Sequence, residues 1–419
     1  MEVGIEKMNA YCGSCYVDVA ELAMHRDLDM DRFDNLLMQE KSVVMPFEDP
    51  VTLAVNASKP LIDSLSRQER DRVEMVIVCS ESPIDLSKSM STYVHDYLKL
   101  NRNCRLAEVK NACYSGTFGL QSAVNFILAG VSPGAKALVI ATDISRFVPE
   151  KQADSSMSDW SFVEPSSGAG AVAFLVGDKP DILSIDIGAN GYYGFEVMDT
   201  CRPVPDSESG NSDVSLLAYL ECCENSFHEY RKRVPGTDYR DSFDYLSFHT
   251  PFGGMVKGAH RNMMRNIIKA NPKSIESDFQ TRVSPGLLFC QRVGNIMGAT
   301  SALSLASTLA NADFSEPRRI GIFSYGSGCC AEFFSGVATA DSQVLIREMG
   351  IEASLNARTK ISMPEYDELI NSNHELKFGT RNHSVDTSWL RYLDLSDGRG
   401  RLILESIEDY HRLYRWIGL

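Results

Sequence analysis

An α/β fold with a sheet covered on both faces is predicted by three features of this sequence. Four short apolar runs lack polar alternation, so each reads as a strand buried on both sides. Helical patterns lie between those runs, the alternation of an α/β architecture. A helix start rich in small residues also occurs twice, each time followed by an apolar run, which points to two related halves.

The first run, Glu74–Ser80, ends in Cys79-Ser80-Glu81-Ser82-Pro83. Leu106–Val109 reads as the end of an extended, buried segment leading into Asn111-Ala112-Cys113-Tyr114-Ser115-Gly116-Thr117. Phe118, Val124, Ile127 and Leu128 then form one apolar helical face, with Gly116, Gly119 and Ser122 permitting close packing. Gly130 and Pro133 stop that helix. Lys136–Thr142 and Gly170–Val176 are the next two buried strands, and Tyr245–Phe248 is another strand end. Asn295–Leu303 repeats the passage from small residues into an apolar helix, and Ile320–Ser324 follows it as a strand. Related halves would place Cys113 and Asn295 at matching helix starts facing one central site. The expected division is 1–180 and 181–419, the first half carrying Glu81 and Cys113, the second His249, Asn295 and Ser327. From about Asp341 the chain is more polar and less regular, and reads as an appendage. Its Phe378-Gly379-Thr380-Arg381 segment and aromatic ending, Tyr410–Trp416, are expected to pack on the body.

With 44% hydrophobic and 23% charged residues among 419, the chain has the composition of a globular protein with ample core. It opens on charged residues, without the apolar stretch of a signal peptide, and no run approaches the roughly 18 apolar residues of a membrane span. Its eleven cysteines are read as reduced thiols of a cytoplasmic protein. Cys12 and Cys15 have the spacing of half a metal site, but no second pair follows, so no metal is expected. A net charge of −15 argues against a nucleic-acid partner.

Three strand ends and one helix start carry candidate chemistry. A thiol at the start of a helix faces unpaired N–H groups and the positive end of the dipole, which favours thiolate and an oxyanion on an attached thioester. Glu81 lies just past a strand end, where α/β sheets place ligand-binding residues, and partial burial would let it act as acid and base. His249 lies at a strand end in a loop shaped by Pro251, Gly253 and Gly254, able to donate to a ketone oxygen. Tyr325-Gly326-Ser327-Gly328 breaks a strand into a tight turn whose N–H groups, that of Ser327 above all, would complete an oxyanion hole. Nucleophile, acid/base, donor and turn suit acyl transfer followed by carbon–carbon bond formation.

Cys79–Ser82, Asn111–Thr117, Phe248–Phe252, Val293–Ile296 and Tyr325–Gly328 together make the chain resemble the 3-hydroxy-3-methylglutaryl-CoA synthase family of the thiolase superfamily. The resemblance covers essentially the whole chain. It implies a thiolase-like fold, a duplicated five-layered αβαβα arrangement with C-terminal additions, and a homodimer. It also implies that Cys113 is the acylated nucleophile, Glu81 the general acid/base and His249 the residue that polarises the acceptor ketone. Asn295, Gly326 and Ser327 would support the site. Within the family, Glu48–Thr52, Asn101–Leu106, Gly188–Gly194 and Gly253–Arg261 are most similar to the branch acting in polyketide β-branching. Members of that branch take acyl groups from acyl carrier proteins, so donor and acceptor carriers are the expected partners and the phosphopantetheine arm the substrate handle, with no other cofactor. A mevalonate-type synthase using CoA esters and a non-catalytic carrier-binding module are the competing readings.

Carrier proteins are typically acidic, as this chain is, so contact requires a local basic patch. Lys257, Arg261 and Arg265 fall at i, i+4 and i+8, one stripe of a predicted helix just after His249, and Arg32 is a further candidate.

Overall fold

The computed structural model describes residues 1–33, 35–146, 163–205 and 207–418. Among them nine strands form the main sheet: β1 (Gly4–Tyr11), β2 (Val73–Cys79), β3 (Arg105–Val109), β4 (Lys136–Ile144), β5 (Ala169–Gly177), β6 (Leu183–Gly194), β7 (Tyr245–Phe248), β8 (Arg318–Gly326) and β9 (Cys330–Ala338). Their spatial order is β7-β8-β9-β6-β1-β5-β4-β2-β3.

The order contains a repeat. In one half β2 runs parallel to β4, β4 antiparallel to β5, and β5 antiparallel to β1. In the other, β7 runs parallel to β8, β8 antiparallel to β9, and β9 antiparallel to β6. The halves join where Gly4 and Ile5 pair with Ser184 and Leu183. By this topology β2 corresponds to β7 and β4 to β8.

Four helices complete the layers, α1 (Pro50–Asp63), α2 (Ser115–Leu128), α3 (Ser212–Arg233) and α5 (Thr300–Asn311), and α4 (Gly253–Asn266) packs beside α3. α1 covers the outer face of β1, β4 and β5, while α3 covers the outer face of β6 and β9. α2 and α5 lie between the halves, α2 against β2 and β4, α5 against β7 and β8. The result is the five-layered αβαβα arrangement of a thiolase-like fold.

The side chains explain why the strand runs show no alternation. Val76 and Val78 of β2 enter the core beneath α1, whereas Ile77 and Cys79 enter the central core with α2 and α5. In β8, Ile320 and Ile322 face the central core, and Phe323 and Tyr325 face an aromatic core beneath α3. There Phe227 and Phe333 meet edge to face, ring centroids 5.2 Å apart. Such a pair adds about 0.5–1.5 kcal/mol beyond its buried area.

Two expectations from the sequence require correction. β3 is one of the sheet's two edges, paired only to β2, and its residues are exposed or half-buried. The strand before Cys113 is therefore not buried on both faces. On α2, Leu120, Ala123, Val124 and Ile127 face the sheet, but Phe118 is 46% exposed, turned away from that face.

The C-terminal segment docks firmly on the body. Its strands Arg401–Glu408 and His411–Ile417 form a hairpin, and Leu404 N–H bonds the Phe47 carbonyl at 2.8 Å. Arg412 and the Tyr414 hydroxyl both donate to the Asp49 carboxylate, at 3.0 and 2.8 Å. Asp49 also caps α1 by accepting from Thr52 N–H, with Pro50 at the first helical position. Tyr410, at the hairpin turn, stays 63% exposed.

Candidate active site

Between β3 and α2 the chain turns through Ala112, held at φ +43°. Tyr114 N–H bonds the Asn111 carbonyl at 3.1 Å and Ser115 N–H bonds the Ala112 carbonyl at 3.2 Å, so Cys113 sits on a tight turn two residues ahead of α2. Two close approaches lock that turn. A Cβ on Gly326 would lie 2.6 Å from the Tyr114 nitrogen, so the end of β8 can lie against the Cys113 loop only as glycine. A Cβ on Gly116 would lie 2.2 Å from the Gly298 carbonyl oxygen, and one on Gly298 would lie 2.4 Å from Ser115 Oγ. The helix starts of the two halves thus touch backbone to backbone.

Glu81 follows β2 as the sequence predicts. Asp143, near the end of β4, organises its surroundings from full burial. One Asp143 oxygen accepts from Glu81 N–H at 2.8 Å and from the Ser80 and Ser82 hydroxyls at 3.0 Å. Its other oxygen accepts from Gly298 N–H at 3.2 Å, across the seam. The Glu81 carboxylate pairs with Arg202, Nη2 to Oε1 at 3.2 Å.

His249 follows β7, the strand equivalent to β2, and is 1% exposed. Its N–H bonds the Phe323 carbonyl of β8 at 2.8 Å, and its carbonyl accepts from the Tyr219 hydroxyl at 2.6 Å. Nδ1 has no hydrogen-bond partner among the described residues. The Ser327 turn, which follows Gly326, is fastened by Asp199, whose oxygens accept from the Tyr325 hydroxyl at 2.6 Å and Gly328 N–H at 2.8 Å.

Burial dominates the electrostatics. The Cys113 thiol is pushed well above its usual range by desolvation, then by the charges of Glu81, Asp143 and Glu208. This corrects the expectation of a thiolate favoured by the helix start: the surrounding carboxylates keep the proton on sulfur, and a base must remove it. Desolvation raises Glu81 to about 7, Arg202 opposing and Asp143 and Glu208 reinforcing the rise. A group at that value serves as acid and as base near neutrality. Desolvation pushes His249 down to about 3, so its imidazole is neutral. A neutral imidazole still donates one N–H.

The model of the hydroxymethylglutaryl-coenzyme A synthase N terminal domain matches residues 1–181, and that of the C terminal domain matches residues 265–414. The chain belongs to the hydroxymethylglutaryl-CoA synthase family. It is therefore a condensing acyltransferase. It is 59% identical over 418 residues to the polyketide biosynthesis 3-hydroxy-3-methylglutaryl-ACP synthase PksG of Bacillus subtilis, covering 100% of both chains. It is 32% identical over 370 residues to the hydroxymethylglutaryl-CoA synthase of Enterococcus faecalis, covering 88% of this chain and 91% of the relative. Among solved structures, the curacin biosynthetic pathway HMG synthase in complex with acetyl donor-ACP superposes with a TM-score of 0.95 at 58% identity, covering 100% of both chains.

Not every residue singled out from sequence in this synthase takes the place expected of it. Asn295 is not the counterpart of Cys113. α5 begins only at Thr300, after a turn through Met297 at φ +49°, so the turn residue matching Ala112 is Met297, and Gly298 takes the place of Cys113. The Asn295 side-chain oxygen is spent inside its own turn, on Met297 N–H at 2.9 Å and the Thr300 hydroxyl at 3.0 Å. Arg261 and Arg265 stand exposed on α4, whereas Lys257 is engaged with Glu276 at 2.9 Å. Arg32 lies on the short helix Met30–Phe33, and its side chain is outside the described residues. Sequence reasoning missed Asp143 and Arg202. Asp143 had a signal, since it directly follows the apolar run Lys136–Thr142 as Glu81 follows its own; Arg202, 121 residues from Glu81, had none.

Proposed function

We propose that this protein is a 3-hydroxy-3-methylglutaryl synthase of polyketide β-branching that uses acyl carrier proteins as donor and acceptor. Its whole-length identity to a relative named as an ACP synthase supports the carrier preference. The carboxylate at the Cys113 turn, raised to about 7, supports the chemistry.

Glu81 takes the proton from the Cys113 thiol, and sulfur attacks the acetyl thioester of the donor carrier. The carrier's phosphopantetheine thiolate leaves and collects that proton from Glu81. Glu81, again a carboxylate, removes a proton from the methyl group of acetyl-Cys113, with N–H groups at Cys113 and Ser327 holding the enolate oxygen. The nucleophilic carbon attacks the β-ketone of an acetoacetyl-type chain on the acceptor carrier. His249, neutral, polarises that ketone by hydrogen bonding, and Glu81 returns its proton to the alkoxide. Water then cleaves the Cys113 thioester, leaving a β-hydroxy-β-carboxymethyl chain on the carrier. Each step balances with sulfur, a carboxylate and an imidazole, so no metal or redox cofactor enters.

We read the carrier contact as the exposed Arg261 and Arg265 of α4, together with Arg32. Leu36 and Phe252, which flank Arg32's helix and α4, share one small core. We also place the enzyme in the cytoplasm as a homodimer; the unpaired edge of β3 is the surface that supports a dimer. Among the described residues no helix is long and apolar enough to cross a membrane.

Intact-protein mass after brief exposure to acetyl-carrier protein, and separately to acetyl-CoA, tests the reading, with Cys113→Ala as control. One acetyl group gained faster from the carrier and lost in Cys113→Ala is expected. Equal or faster loading from CoA would reassign the enzyme to CoA esters, and loading of Cys113→Ala would remove the nucleophile.

A further inference from the structure

Arg202 has no place in the scheme above, yet it makes more contacts to Glu81 than any other side chain described. Its Nη2 reaches Glu81 Oε1 at 3.2 Å, while Nη1 donates to the Glu81 carbonyl at 3.0 Å and to Ser82 Oγ at 3.3 Å. One guanidinium therefore grips the carboxylate, the backbone of the same residue and its neighbour. The planar fork of arginine reaches these oxygens from two separate nitrogens, where an ammonium offers a single one.

The segment that carries Arg202 is also tied to the opposite side of the site. Thr200–Val204 and Ser207–Gly210 form a two-stranded hairpin, Cys201 facing Ser209 and Thr200 facing Gly210. At its base Asn211 N–H bonds the Asp199 carbonyl at 2.7 Å. The carboxylate of that same Asp199 fastens the Ser327 turn through Tyr325 and Gly328. The hairpin thus connects the base to the oxyanion turn.

Around Glu81 the charged and titratable groups are Asp143 from β4, Glu208 from the hairpin, Cys113 from its turn, Lys110 from the end of β3, and Arg202. Asp143 is buried, Glu81 half-buried and Glu208 exposed, and Arg202 Nη2 lies 3.7 Å from Glu208 as well. Lys110 is exposed to solvent, whereas the Arg202 side chain is only 17% exposed. Arg202 is thus the less exposed of the two cations.

We propose that Arg202 is the positioning residue of Glu81, clamping its carboxylate and backbone beside the Cys113 turn and supplying the positive charge that lets it work as a base among other carboxylates. The proposal rests on Glu81 being the base, as drawn above. Removing the guanidinium leaves Glu81 facing Asp143 and Glu208 without that counter-charge, so its carboxylate form becomes harder to reach. A lysine keeps the charge but loses the grip on the carbonyl and on Ser82.

The test is the pH dependence of proton removal from acetyl-Cys113, read by mass as deuterium entering the acetyl methyl group of the pre-acetylated enzyme. In parallel, single-turnover condensation is followed with an acetoacetyl-pantetheine thioester. Wild type, Arg202→Gln, Arg202→Lys and Glu81→Gln are compared. In Arg202→Gln the midpoint of the rising limb moves up by about one pH unit or more, so the rate at pH 7 falls about fivefold or more and recovers at pH 9. Arg202→Lys shows a smaller displacement. A rate lowered equally at every pH, with the midpoint unmoved, overturns the proposal and leaves Arg202 a structural residue. A limb that persists in Glu81→Gln instead overturns the assignment of Glu81 itself, whatever Arg202 does. If Arg202→Gln loses the native melting transition, Arg202→Lys alone decides: an unmoved midpoint there overturns the proposal.

Discussion

Glu81 and His249 follow equivalent strands, and burial drives each toward its neutral form. For Glu81 this means a value of about 7, and for His249 about 3. Condensation should therefore rise through a single limb near pH 7, with no second limb from His249 between pH 5 and 8. Glu81→Gln should abolish that limb and cut condensation by about 10²–10⁴-fold while slower acetylation persists, as single-turnover assays across pH would read. Stability should move the other way. Glu81 binds its proton more tightly folded than at its ordinary value near 4.5, so the stability it contributes is full below about 4.5 and lost as pH rises through about 7. Melting curves should thus show Glu81→Gln gaining more over wild type at pH 8 than at pH 5. A difference that is constant with pH would contradict this. The residue is an example of function held at a cost in stability.

At the scale of elements, the decisive contacts are between helix starts. Gly116→Ala would drive a methyl group into the Gly298 backbone, which has no flexible side chain to yield. Overpacking of this kind costs about 1–3 kcal/mol, so a lower urea midpoint and slower acetylation of Cys113 are expected together. An unchanged midpoint would mean that the two starts can separate freely. The strands were legible in the sequence because a sheet covered on both faces leaves no room for polar alternation. β3 was misread because a short edge strand carries too few residues to reveal which face is open. Phe118 was misplaced because a helical apolar count cannot tell the face against the sheet from a residue at the helix start. Glu81, Cys113 and His249 could be found because each directly follows a strand or precedes a helix. Arg202 was invisible because its role comes from a hairpin that meets Glu81 only in three dimensions. The matching of Asn295 to Cys113 failed because an extra turn through Met297 lies between the motif and its helix.

For the whole molecule, the proposed carrier contact sets an acidic enzyme against partners that are typically acidic, so it must run through a patch. Reversing Arg261 and Arg265 to glutamate should weaken loading from acetyl-carrier protein, the more so at low salt, and leave loading from a small acetyl thioester unchanged. Lys257→Glu should do less, since Glu276 already neutralises Lys257. Equal effects on carrier and small thioester would place the patch in the site rather than at a docking surface.

The seam between the halves has a consequence for how the enzyme is born. Cys113, Glu81 and Asp143 leave the ribosome long before Gly298 and β8, because chains emerge from the N-terminus at about 5–20 residues per second. Until Gly298 arrives, one Asp143 oxygen lacks its N–H donor, and the turn bearing the thiol lacks the glycine strand end that braces it. A nascent first half therefore holds nucleophile and base without Arg202, His249 or the Ser327 turn. Acetylation of Cys113 is expected only after Gly298 and β8 have joined the first half, so a chain truncated before Gly298 should gain no acetyl group by intact-protein mass.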